Sequence, residues 1–240
     1  MKAFRIDFSF YLITVCFLLS PYQTIYLKLV FILMIHELGH LCFVFLFKIN
    51  IRSLRLYALG FMMDLDHRNL PFFKEFFLYA GGILFNLVSF LFLPKSMHSY
   101  IWLIIIMNIL PIFPLDGFML LKTMLAYLLP YRVSLYGIHG IGMTSLFAAT
   151  LFLMQRMDYL LLINLLCLWV IGFKDFKNIK YAYSSFTLQR YLYPPAFRFR
   201  KTKFRHNNEL FLYRYHRIYA LVGKKRIEEF DILKLKYDKI

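Results

Sequence analysis

Negative charge is scarce in this chain. Thirteen Asp and Glu stand against 29 Lys and Arg in 240 residues, a formal net charge of +16, and charged residues together make up 18%. A soluble globular domain carries about 25% charged and about 45–50% apolar residues, whereas here 60% are hydrophobic and 20% aromatic. The same excess excludes a disordered chain, which is polar and poor in aromatics. Cysteine is also scarce. Cys16, Cys42 and Cys167 all lie in apolar runs, so there is no disulfide framework, and they read as core packing rather than metal ligands. No internal repeat or low-complexity tract is visible. What remains is the composition of an integral membrane protein.

Charge is divided unevenly. Residues 1–173 hold 12 Lys/Arg against 7 Asp/Glu, while residues 174–240 hold 17 against 6. We therefore expect a membrane-embedded domain over 1–173 and a basic cytosolic tail over 174–240. Apolar runs near 20 residues predict six spans, at 7–21, 27–47, 72–93, 99–116, 134–154 and 158–173. Lys2 and Arg5 precede the first, but no small-residue cleavage site follows Ser20-Pro21, so it reads as a retained span. With both termini in the cytosol, 26 basic residues fall inside and 3, Lys28, Lys95 and Arg156, outside, as the positive-inside rule requires. The expected fold class is all-α and polytopic, with about six transmembrane helices and a small α+β cytosolic tail. Ile51–Ala58 reads as a strand, Gly60 as a turn, and 61–66 as a return strand. An ordinary cytosolic loop is the alternative there.

Ionisable groups inside a bilayer are expensive and usually mark function. The second span carries His36, Glu37 and His40 in the order HELGH. Residues four apart share one helix face, so both imidazoles can bind one ion, and imidazole suits zinc. Glu37 can reach a water at that ion without binding it, the HExxH arrangement with Glu as general base. The competing reading is a set of polar residues satisfied between helices. A catalytic zinc takes three protein ligands, and Asp116 is the choice for the third. It ends the fourth span after Pro111 and Pro114 and before Gly117, where prolines disrupt a helix and irregular backbone must be buried or line a cavity. The alternative is an interfacial Asp that ends a helix.

With these motifs, the chain resembles the site-2 protease family of intramembrane zinc metalloproteases, and within it the stage IV sporulation protein FB branch. His36-Glu37-Leu38-Gly39-His40 resembles the zinc helix. Asn108 through Pro114-Leu115-Asp116-Gly117 resembles the second signature, which carries the third ligand. Ala80-Gly81-Gly82-Ile83-Leu84-Phe85-Asn86 resembles the small-residue motif of the third span, with Gly82 in place of the usual Pro. Phe118 replaces a usual second Gly. The resemblance implies one Zn2+ per chain held by His36, His40 and Asp116, a broken helix at the metal, and a β-hairpin at 51–66 dipping toward it. A free strand edge there can capture an extended substrate by β-augmentation. The implied activity is peptide-bond hydrolysis in a membrane-associated protein near the cytosolic face, with a sigma-factor precursor during sporulation as the substrate by analogy. The implied location is the bacterial cell membrane or the mother-cell-derived forespore membrane, and membrane-protein regulators are expected partners.

Asn86 and Asn108 are amides in apolar spans. Either can donate to an oxyanion or bind substrate backbone, and interhelical hydrogen bonding is an equal alternative. Gly81-Gly82 would allow close packing against the zinc helix. His139, among Gly137, Gly140 and Gly142, reads as a helix contact, Asn164 as interhelical glue, and His67 as a loop residue. The tail run Phe197–Arg205 interleaves basic and aromatic residues. Starting at a membrane, it reads as a contact for anionic lipid rather than nucleic acid. A strand at 216–222 and a helix at 226–233 would fit at most part of the nucleotide-sensing CBS domain that relatives carry. Two other functions compete: a catalytically inactive scaffold retaining the metal site, and a metal transporter. The first has no need of Glu37; the second needs polar residues along spans five and six, where few occur.

Overall fold

The computed structural model describes residues 4–6, 11, 14–16, 18–57, 60–65, 70–156, 159–197, 199–201, 212–222 and 225–238. The chain divides into two compact units, Met1–His67 with Phe73–Leu110, and Arg68–Phe72 with Pro111–Ile240. The composition change near residue 173 is not a boundary between them.

In the first unit, α1 spans Gln23–Leu46 and buries Ile32, His36, Glu37, Gly39, His40 and Val44. Spacings of three and four place most of these on one stripe. Phe31, Met34, Leu38 and Phe45 face outward, an apolar surface suited to lipid. The helix closes with Lys48 at φ 53°. Lys48 N–H donates to the Phe45 carbonyl at 3.1 Å and Ile49 N–H to that of Val44 at 2.9 Å. This is a Schellman closure, with buried Ile49 and Val44 as its apolar contact. The chain leaves directly into β2, Ile51–Tyr57, which pairs antiparallel with β3, Gly60–Leu65, from Ile51↔Leu65 to Tyr57↔Gly60. The expected hairpin is therefore present. A three-residue strand β1, Phe4–Ile6, adds in parallel to β2, too short to leave a sequence signal. β3 is at the edge of that sheet. Next come α2, Phe72–Ser89, and α3, Lys95–Ile109.

The expectation of one span over 99–116 needs correction. α3 stops at Ile109 with Leu110 extended, and Asp116 opens the next helix, α4, Asp116–Leu128, rather than ending the previous one. Pro111 holds the residue before it out of the helical region and Pro114 repeats the block, so the helix restarts only beyond both.

The second unit continues with α5, Tyr131–Arg156, and α6, Tyr159–Lys177. These two are tied by Trp169 Nε1 donating to Thr150 Oγ1 at 3.1 Å and by His139 Nε2 against Asp175 at 2.8 Å. His139 is thus a helix contact, made through Asp175 rather than through Gly137 or Gly140, where a Cβ would meet nothing within 4 Å. The tail forms α7, Ile179–Leu192, which the sequence reading missed, then β4, Phe199–Lys201, β5, Arg217–Val222, β6, Lys225–Glu228, and α8, Glu229–Tyr237. β4 is parallel and β6 antiparallel to β5. The strand expected at 216–222 is close to β5. The helix expected at 226–233 starts later, because 225–228 pairs as a strand and Glu228 with Asp231 forms a capping box.

Among the described residues, three helices are long and apolar enough to cross a membrane: Gln23–Leu46, Phe72–Ser89 and Tyr131–Gln155. They match the expected second, third and fifth spans. The expected first span is only partly described, with residues 7–10, 12, 13 and 17 outside the described residues, and α3, with 15 residues, reaches only about 22 Å. Cys16 and Cys42 are exposed, so they are not core residues of the isolated chain. The side chains of Asn164 and Cys167, residue 67 and most of 197–205 lie outside the described residues.

Arg190 holds the tail together. It is buried, donates from Nη1 to both carboxylate oxygens of Glu229 at 2.9 and 3.0 Å, and donates to the carbonyls of Tyr213, Arg214 and His216. Glu229 also accepts from Ile218 N–H at 3.2 Å. Burial pushes the Glu229 carboxyl above its ordinary range, with Arg190 opposing the shift. Beside the pair, Leu212, Ile218 and Leu233 form a small core. Removing one partner of such a pair leaves a buried charge uncompensated, at about 3–5 kcal/mol. Glu229→Leu is therefore expected to speed hydrogen exchange in β5 and α8 at least about a hundredfold. Arg217→Gln, at the exposed 3.8 Å pair with Glu228, should change it little.

Candidate metal centre

His36 and His40 lie one turn apart on α1, both buried, with their Nε2 atoms 3.2 Å apart. Their place is set by α2. A Cβ on Gly39 would come within 2.3 Å of the Gly81 carbonyl oxygen, and one on Gly81 within 2.7 Å of that of Gly39. The two backbones therefore touch where neither residue has a side chain, as small residues allow between membrane helices. Gly82 makes room for the imidazole, since a Cβ there would lie 2.4 Å from His36 Nε2. One turn further on, Asn86 Nδ2 is 3.1 Å from His36 Nδ1. One turn back, the Leu78 carbonyl is 2.7 Å from His40 Nδ1. A carbonyl only accepts, so His40 Nδ1 carries its proton and Nε2 presents a lone pair.

This pair fits a metal ion. A tetrahedral zinc with bonds of about 2.0–2.1 Å sets two of its ligands roughly 3.3–3.4 Å apart, close to the observed 3.2 Å. The His40–Leu78 bond is also the outer hydrogen bond that metal-bound histidines make through their second ring nitrogen. Glu37 is buried on the same helix, about 100° around from His36.

In the second unit, Asp116 is the first residue of α4, half-buried, behind an extended Leu115. Gly117 and Phe118 are buried after it. The Phe118 ring packs edge-on to Phe113 and His139, at centroid distances of 5.3 and 5.2 Å. It uses room that Gly142 leaves, since a Cβ there would sit 3.4 Å from the ring.

The two candidate amides differ in their surroundings. Asn86 is fully buried against His36. Asn108 is half-buried and donates back to Ile104 O of its own helix at 3.0 Å. Sequence reasoning missed Glu75, a buried carboxylate in the first turn of α2. Its spacing to Gly82 and Asn86, seven and then four residues, puts all three on one helix face and was the available signal.

No family model matches the sequence, and no curated protein matches it either. The fold is similar to that of the site-2 protease from Methanocaldococcus jannaschii. The likeness covers 71% of this chain and 89% of that one, with TM-score 0.52 at 19% identity. At this identity the likeness is one of fold.

The contact at Gly82 is testable. Gly82→Ala is expected to push the His36 ring from its place beside His40 and weaken binding of zinc or cobalt, as read by chelator competition. Gly137→Ala meets nothing within 4 Å and should leave metal binding unchanged, with a slight gain in helix stability.

Proposed function

We propose that this chain is an intramembrane zinc metalloprotease that cleaves a membrane-tethered protein near the cytosolic face. The observation that carries the proposal is the buried imidazole pair of an HExxH helix long enough to span a bilayer, within a site-2-protease-like fold. His36, His40 and Asp116 would hold the ion. Bound there, zinc would supply Lewis-acid chemistry for peptide hydrolysis. Glu37 would act as general base toward the attacking water and then as general acid toward the leaving amine. Asn108 is the candidate for the developing oxyanion or the substrate backbone, since Asn86 is engaged with His36. The β3 edge offers an extended substrate a strand to pair with.

The finer assignments belong to the same proposal: six spans with both termini cytosolic, anionic lipid at the basic tail, regulation by other membrane proteins, and a sigma-factor precursor as substrate. The competing reading is a scaffold that keeps the site without using it, and Glu37 separates the two. Protein purified in mild detergent is expected to carry about one zinc per chain, and Asp116→Ala to lose or weaken it. Glu37→Gln should keep the metal while cleavage of a membrane-tethered reporter falls about 10²–10⁴-fold. Folded, zinc-replenished protein without bound metal would sink the protease. A zinc-loaded chain whose cleavage is indifferent to Glu37 would favour the scaffold.

A further inference from the structure

Two contacts with α2 bear on the ring nitrogens of the histidines. His40 Nδ1–H donates to the Leu78 carbonyl, so His40 Nε2 is an acceptor. Asn86 Nδ2 can only donate, so His36 Nδ1 accepts from it. Neutral His36 with its proton off Nδ1 carries it on Nε2, the atom that lies 3.2 Å from His40 Nε2.

That arrangement cannot hold zinc as it stands, because His36 Nε2 must give its lone pair to the ion. The proton has to sit on Nδ1 instead, and Nδ1–H needs an acceptor where the Asn86 amide nitrogen now points. Asn86 can supply one. Its two ends have nearly the same shape, and its Oδ1 is buried with no hydrogen-bond partner. No second contact of that oxygen locks the amide in one orientation, so it can turn over and accept through Oδ1. The geometry points to Asn86 as a positioning residue that serves both tautomers of His36: a donor to Nδ1 without metal, an acceptor from Nδ1–H when His36 Nε2 ligates zinc. The proton moves from one ring nitrogen to the other, and the histidine stays neutral. Leu78, a backbone carbonyl, offers His40 only the acceptor role. This inference rests on the zinc site proposed above.

Two near-isosteric variants test it in the full-length protein in detergent, with zinc affinity read by chelator competition and the coordination sphere by the ligand-field spectrum of bound cobalt. Asn86→Leu removes the acceptor and is expected to weaken zinc binding about 10–100-fold, the usual loss when an outer partner of a ligand is removed. Asn86→Asp keeps the acceptor and should bind zinc at least as tightly as the parent, with the parent's cobalt spectrum. This opposite response is one that a merely space-filling residue would not give. The inference is overturned if Asn86→Asp loses zinc as Asn86→Leu does, or if Asn86→Leu stays within twofold of the parent. Should Asn86→Leu not fold, Asn86→Asp alone decides by the same criterion. Failure of the parent itself to bind zinc is a separate result: it sinks the metalloprotease reading, and the inference with it.

Discussion

The touching backbones of α1 and α2 at Gly39 and Gly81 are the constraint from which the first unit's site follows. With neither residue carrying a Cβ, the two helices approach closely enough for the His36 ring to lie over Gly82. The same approach lets His40 reach a backbone carbonyl of α2. A wider separation would break the contacts with Asn86 and Leu78 that help orient the two rings. The hydrophobic effect does little to bring helices together inside a bilayer, so packing of this kind has to do it. The site's chemistry is therefore inseparable from two glycines that carry none of it.

Much of this was legible in the sequence. The four-residue spacing of His36 and His40 fixes a shared face before any coordinates are known, and the small-residue run at 80–82 marks a close helix contact. The strand pair after α1 could be read from Ile51 to Tyr57 and the turn signal at Gly60. The sequence was less informative where structure depends on partners distant along the chain. Nothing in the run around Asn86 says which of the many polar atoms it would meet, and both amides looked alike until one was placed against His36 and the other on its own helix. The three-residue β1 needs β2 beside it to exist at all. The helix break was read from Pro111 and Pro114, but which side of the break Asp116 would join depends on where the helix can restart.

The tail shows how composition misleads. Its charge stands apart from that of the first 173 residues, yet Tyr215 packs into one cluster with Ala126 of α4, Tyr131 and Leu135 of α5, and Ile179 of α7. Tyr131 N–H also donates to the Leu212 carbonyl at 2.8 Å. The basic residues colour the surface while the aromatic ones do the packing. A single buried guanidinium, Arg190, satisfies the carbonyls at which the chain turns back toward β5.

Gly82 also bears on how such a chain can change over generations. A methyl group at this position would overlap the ring of His36, so the residue cannot simply drift to Ala or Ser while His36 stays where it is. Any such replacement has to be preceded by a shift of α1 or of the ring. Positions 36 and 82, on different helices, are therefore expected to have moved together through ancestry. Gly82 is then half of a matched pair, and the effect of replacing it depends on the background into which the change is introduced.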